Sequence, residues 1–133
     1  SHIYDPRYLV NDARVISDFS VAGNNTMHGI NKKYLTDTLV AAATEHKKAI
    51  VITHHLPSFT LSDPKYQKFH LYAQCFASGC DDMIASPVQC WIFGHTHTVT
   101  NKLINGVPCI ANPIGYPNEN TDVDYNRVIQ VEK

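Results

Sequence analysis

Ala49-Ile50-Val51-Ile52-Thr53-His54-His55-Leu56-Pro57 and, further along, Val88-Gln89-Cys90-Trp91-Ile92-Phe93-Gly94-His95-Thr96-His97 decide the fold. Each opens with a short, continuous apolar run rich in β-branched or aromatic residues. Runs of that kind, too short for a helix, read as strands buried on both faces. Strands are therefore predicted over Ala49–Thr53 and Val88–Phe93. Each run then gives way to histidines, His54-His55 ahead of Pro57 in the first case and His95 and His97 after Gly94 in the second.

Outward from these strands, the periodicity predicts helices between and before them. Leu35, Leu39 and Ala42 fall on one face of a segment from Asn31 to Lys48, and Lys47 and Lys48 suit a C-terminal end. Phe69, Tyr72, Ala73 and Phe76 repeat at helical spacing within Tyr66–Phe76, and Asp81–Ala85 reads as a short helix. Ser20–Gly29, rich in Gly, Asn and Thr, reads as a loop, as does Ser58–Lys65 with Pro57 and Pro64. Lys102–Ala111 reads as a hairpin turning at Asn105-Gly106, the commonest hairpin pair. Short strands are predicted over Ala13–Ser17 and Arg127–Val131. The alternation predicts an α/β fold, with 1–133 as a single domain. In open α/β sheets ligands gather beyond the carboxyl ends of strands, where these histidines lie.

Composition narrows the class. Apolar residues make up 44% and charged residues 17% of the 133 residues, which places the chain among globular proteins. The net charge of -1 gives no basic surface, so nucleic acid is not indicated as a partner. No apolar run approaches the ~20 residues of a membrane helix, so no membrane is expected. No signal peptide is visible in Ser1–Tyr8, and none of Cys75, Cys80, Cys90 and Cys109 sits in a C-x-x-C pair. A reduced, cytoplasmic chain is the simplest reading. Eight histidines at this length point to metal or acid–base chemistry.

The histidines carry most of that signal. Adjacent residues of a strand face opposite sides, so only one of His54 and His55 should reach a given centre. Taken alone, the pair reads as one core histidine and one exposed one. His95 and His97, two apart, should share a side if the backbone is extended, within reach of one metal or of two neighbouring ones. Histidines at the ends of two adjacent parallel strands can converge on one point, and imidazole suits Zn, Fe, Mn or Ni.

Thr53-His54-His55-Leu56-Pro57 and Gly94-His95-Thr96-His97, in that order, resemble the C-terminal half of the calcineurin-like metallophosphoesterase superfamily. Ser17-Asp18-Phe19-Ser20 and Asn112-Pro113-Ile114-Gly115-Tyr116-Pro117 are similar to the flanks of one bacterial and viral branch. The resemblance implies a binuclear site hydrolysing phosphomonoesters or phosphodiesters with water activated by the metals. It implies His97 as a ligand of the first metal, His54 and His95 as ligands of the second, and His55 nearby as the catalytic candidate. It also implies the α-β-β-α sandwich, of which this chain would supply one mixed sheet flanked by helices.

The family's D-x-H, G-D and G-N-H motifs are not found in these 133 residues, and Gly23-Asn24-Asn25 lacks the histidine and falls too late. The chain is thus expected to be the C-terminal part of a longer phosphoesterase domain. The inner face of its sheet should then expose an apolar patch, covered by the N-terminal half or by a second copy. Two other readings stay open: a mononuclear hydrolase with three histidines, and a non-catalytic scaffold with a degenerate site. Of the remaining residues, His28 and His70 read as structural or solvent-facing. Asn112 reads as either a partner behind the site or a turn residue, and Tyr116 as a core residue or a cleft border. Asp63, Asp81 and Asp82 read as helix caps.

Overall fold

The computed structural model describes residues 11–67, 73–119 and 122–131. The chain divides into two compact units, Ser1–Thr38 and Leu39–Lys133.

The described part of the first unit, residues 11–38, is mainly helical. A one-turn helix, α1 (Asp12–Val15), stands where a strand was expected. The long helix α2 (Val21–Thr44) begins ten residues before the expected Asn31 start and runs on into the second unit. The Ser20 hydroxyl oxygen accepts the backbone N–H of Gly23 at 3.0 Å, and the Ser20 carbonyl accepts Asn24 N–H at 2.9 Å. That cap offsets the weak propensity of the Gly-Asn-Asn-Thr stretch, which therefore is helix and not loop. Thr26, Thr36, Thr38 and Thr44 each return their hydroxyl to the carbonyl four residues back. Of the face expected to point inward, Leu39 is buried and Leu35 and Ala42 are half-buried.

The helix ends on a residue with left-handed backbone. His46 has φ 54°, Lys47 N–H reaches the Ala42 carbonyl at 2.8 Å, and His46 N–H reaches Ala43 at 3.1 Å. This is the bond pattern of a Schellman cap, where glycine is the favoured residue. His46→Gly is therefore expected to raise stability by about 1 kcal/mol, readable as a higher urea midpoint. An unchanged or lower midpoint would contradict the strained cap.

The second unit is built on one mixed sheet. Its strands are β1 (Ala49–Thr53), β2 (Val88–Phe93), β3 (Thr100–Ile104) and β4 (Val107–Ala111), in the order β1-β2-β4-β3. β1, β2 and β4 are parallel, and β3 closes antiparallel on β4. The hairpin turns at Asn105-Gly106, with φ of 50° and 80°, as its sequence predicts. Asn105 also donates its side-chain amide to the Asp81 and Ile84 carbonyls at 3.0 and 3.2 Å. Between β1 and β2 lie a 3-10 turn at Phe59–Leu61, the helix α3 (Pro64–Gln67) and a second 3-10 turn at Asp81–Met83. The expected Tyr66–Phe76 helix falls partly outside the described residues, as does His70. Arg127–Val131 is irregular and pairs with no strand among the described residues.

The two faces of the sheet differ. One carries Val51, Trp91, Phe93, Val107, Cys109 and Ala111, all buried. The other carries Ile50, Ile52 and Leu103, which are 51%, 73% and 71% exposed, around a buried Cys90 and Ile110. The register pairs Ile50 with Cys90 and Ile52 with Ile92, so the exposed residues share a face. Cys75, Cys80, Cys90 and Cys109 are free thiols. Burial pushes the Cys109 thiol up to about 11, so it stays protonated as a core residue. No helix among the described residues is long and apolar enough to cross a membrane.

Candidate metal centre

β1 and β2 are neighbours in register, with Thr53 opposite Phe93, so their exits lie side by side. Gly94 N–H donates to the His54 carbonyl at 3.0 Å, which extends the pairing one step past the strands. His54 and His55 beyond β1 and His95 beyond β2 come together there: one nitrogen from each lies within 4.8 Å of the others. The ring centroids are 5.2 Å apart for His54–His55 and for His54–His95, and 4.7 Å apart for His55–His95. Nδ1 of His95 and Nε2 of His54 face each other at 3.2 Å.

Both members of the His54-His55 pair reach one centre, contrary to strand alternation. The strand has ended at Thr53, and His54 and His55 occupy a bend. The Thr53 hydroxyl donates to the His55 carbonyl at 2.8 Å and accepts the Trp91 indole N–H at 3.0 Å, which fixes that bend to the buried core. Leu56 then bridges in parallel to Ala77, and Leu56 N–H donates to the Phe76 carbonyl at 3.0 Å. This sets the Phe76 ring against His95, stacked at 5.7 Å with 21° between planes.

His95 and His97 diverge. His95 has φ 59°, so the backbone between them is not extended and the shared side expected of H-x-H does not arise. The special conformation belongs to His95 and not to Gly94: a Cβ at Gly94 would make ordinary contacts at 3.5 Å or more. His97 turns to Glu119, with Nδ1 2.8 Å from Oε2, and its ring meets Tyr116 edge-on at 4.7 Å. Glu119 Oε2 also accepts the Tyr116 backbone N–H at 2.7 Å. That amide, followed by His97, holds the Glu119 carboxyl below its usual pKa. The sequence did not single out Glu119. Its signal was turn chemistry: Tyr116-Pro117-Asn118-Glu119 closes with Glu119 N–H on the Tyr116 carbonyl at 3.0 Å, and Asn118 has φ 65°. Pro second and Asn third fit a type II turn. Tyr116, read as a core residue or a cleft border, is 70% exposed and so is not part of the core.

The remaining candidates serve the frame. Asn112 exchanges hydrogen bonds with the Asp124 backbone at 2.8 and 3.2 Å. Asp81 accepts the Ser58 hydroxyl at 2.7 Å. Asp63 caps α3, accepting Lys65 N–H at 2.9 Å, and also accepts the Thr98 hydroxyl at 3.0 Å, which ties the chain after His97 to the helix. The Lys65 amide, with Thr98 adding to it, holds the Asp63 carboxyl below its usual range. A depressed folded pKa gives stability that is present above the unfolded value, about 4, and lost as pH falls through the folded value. Asp63→Asn should therefore melt below wild type at pH 6, and the gap should close as pH falls through the lowered folded value. A gap that persists in acid would contradict the carboxylate's role.

A divalent ion fits this donor set. Three exposed imidazoles converge, with no carboxylate in the group among the described residues, which favours Zn, Ni, Co or Fe over Mg or Ca. No known family profile matches the chain, and no solved structure matches it. The chain is 27% identical over 94 residues to an uncharacterized protein of Acanthamoeba polyphaga mimivirus, an alignment covering 65% of this chain and 33% of that protein. The chain thus spans about a third of the length of that relative.

Proposed function

We propose that this chain supplies the imidazole ligands of a metal-dependent phosphoester hydrolase of the calcineurin-like type. The convergence of His54, His55 and His95 beyond the carboxyl ends of two paired parallel strands carries the proposal. His54 and His95 would hold the ion, as the motif order suggests. His55, the catalytic candidate, stands close enough to serve as its third imidazole. A bound divalent ion supplies Lewis acidity toward a phosphoryl oxygen and lowers the pKa of a coordinated water. Phe76 stacks on His95, and Thr53 and Trp91 hold the His55 backbone, so the donors are oriented before a ligand arrives.

In this proposal the sheet is one layer of the α-β-β-α sandwich, and the face bearing Ile50, Ile52 and Leu103 packs against the second layer. That layer is a preceding N-terminal half or another copy. The carboxylates that the family adds to its binuclear centre would come from such an N-terminal half.

Hydrolysis of an aryl phosphate diester tests the reading. Turnover should require added Mn, Zn, Fe or Ni, stop with chelator, and be lost in His95→Ala. Turnover that survives both the chelator and the substitution would refute it. Stoichiometric metal with no turnover would restrict the chain to a metal-binding role.

A further inference from the structure

We infer that Glu119 is a positioning residue for His97, locking its ring in the Nδ1–H tautomer so that Nε2 is the nitrogen offered to a ligand. The inference deepens the metal-centre reading and rests on it for the use to which Nε2 is put. The geometry itself stands apart from that reading.

An ionised carboxylate only accepts hydrogen bonds. Glu119 Oε2 lies 2.8 Å from His97 Nδ1, so Nδ1 carries the proton and donates. In the neutral ring Nε2 then holds the lone pair. The carboxylate is itself fixed, since the same Oε2 takes the Tyr116 backbone N–H at 2.7 Å. Glu119 N–H returns to the Tyr116 carbonyl at 3.0 Å, and Asn118 adopts the left-handed conformation that closes this turn. The Tyr116 ring meets the imidazole at 4.7 Å with 82° between planes, which restricts rotation of the ring. One short turn therefore controls both the tautomer and the orientation of His97.

This arrangement is what a histidine ligand outside the His54–His55–His95 cluster needs. A ligating imidazole is oriented by a partner on its other ring nitrogen, and loss of that partner typically weakens the site about 10- to 100-fold. Among the described residues Glu119 supplies that partner for His97, which the family resemblance would assign to a different metal from His54 and His95.

The test is long-range proton–nitrogen NMR of the histidine rings in the metal-free chain at about pH 8, above the ordinary histidine range. Wild-type His97 is expected to show the Nδ1–H signature alone. Glu119→Ala should lose it and move to the Nε2–H form that free imidazole side chains prefer. Glu119→Gln, which keeps an acceptor oxygen, should retain it. His97 in the Nε2–H form in wild type, or a tautomer unchanged in Glu119→Ala, would overturn the inference. Cobalt binding at His54, His55 and His95, followed in the same samples, tests the metal reading separately. If cobalt fails to bind while the tautomer responds, the metal reading falls and the positioning role stands.

Discussion

Replacing His95 with alanine is expected to weaken divalent-metal binding by more than about 100-fold. Loss of a residue that merely supports a ligand costs about 10- to 100-fold, and loss of a direct donor exceeds that. His95 is the residue through which the cluster is joined: its ring neighbours both His54 and His55, and its left-handed backbone aims it at them. Without it, the two remaining imidazoles come from adjacent residues on one bend. Isothermal titration with zinc or cobalt reads the effect directly. A substitution at His28, exposed on α2, serves as the control and should leave the affinity unchanged. Equal affinity in His95→Ala and wild type would remove His95 from the centre.

The second large effect is on stability. Trp91→Ala is expected to cost about 3–5 kcal/mol, the usual range for emptying a large aromatic site in a core. Trp91 is 1% exposed, lies between Val51 and Cys109 in the register, and donates its indole N–H to Thr53. The loss is a large part of the ~5–15 kcal/mol that holds such a domain together, so the urea midpoint should drop by more than about 1 M. Ile52→Ala, one strand away but 73% exposed, should change stability by less than about 0.5 kcal/mol. Circular dichroism is the right probe, because the chain has one tryptophan and the variant removes it. Similar losses at both positions would mean that Ile52 is covered in solution, as a second copy of the chain packed on that face would do.

What the sequence disclosed tracks the strength of local signals. β1, β2 and the Asn105-Gly106 hairpin are legible because apolar runs and a turn dipeptide fix them without tertiary help. The parallel pairing of β1 with β2 then comes from the α/β alternation. The start of α2 is hidden, since Gly23, Asn24 and Asn25 look like loop while the deciding contact is a single Ser20 cap. Arg127–Val131 looks like a strand by composition, but no ladder receives it among the described residues.

The site divides in the same way. His54 and His95 are legible as strand-end histidines. The entry of His55 depends on a bend held by Thr53 and Trp91, residues 38 apart in sequence. The departure of His97 depends on the φ of His95 and on Glu119, and neither is written in the H-x-H spacing. Backbone conformation at one residue thus decides which imidazoles meet.

The most direct test compares His55→Ala with His97→Ala by cobalt absorption spectroscopy on the 133-residue chain. Convergence of His54, His55 and His95 predicts one cobalt ion per chain, lost in His55→Ala and kept in His97→Ala. Cobalt retained in His55→Ala but lost in His97→Ala would contradict it.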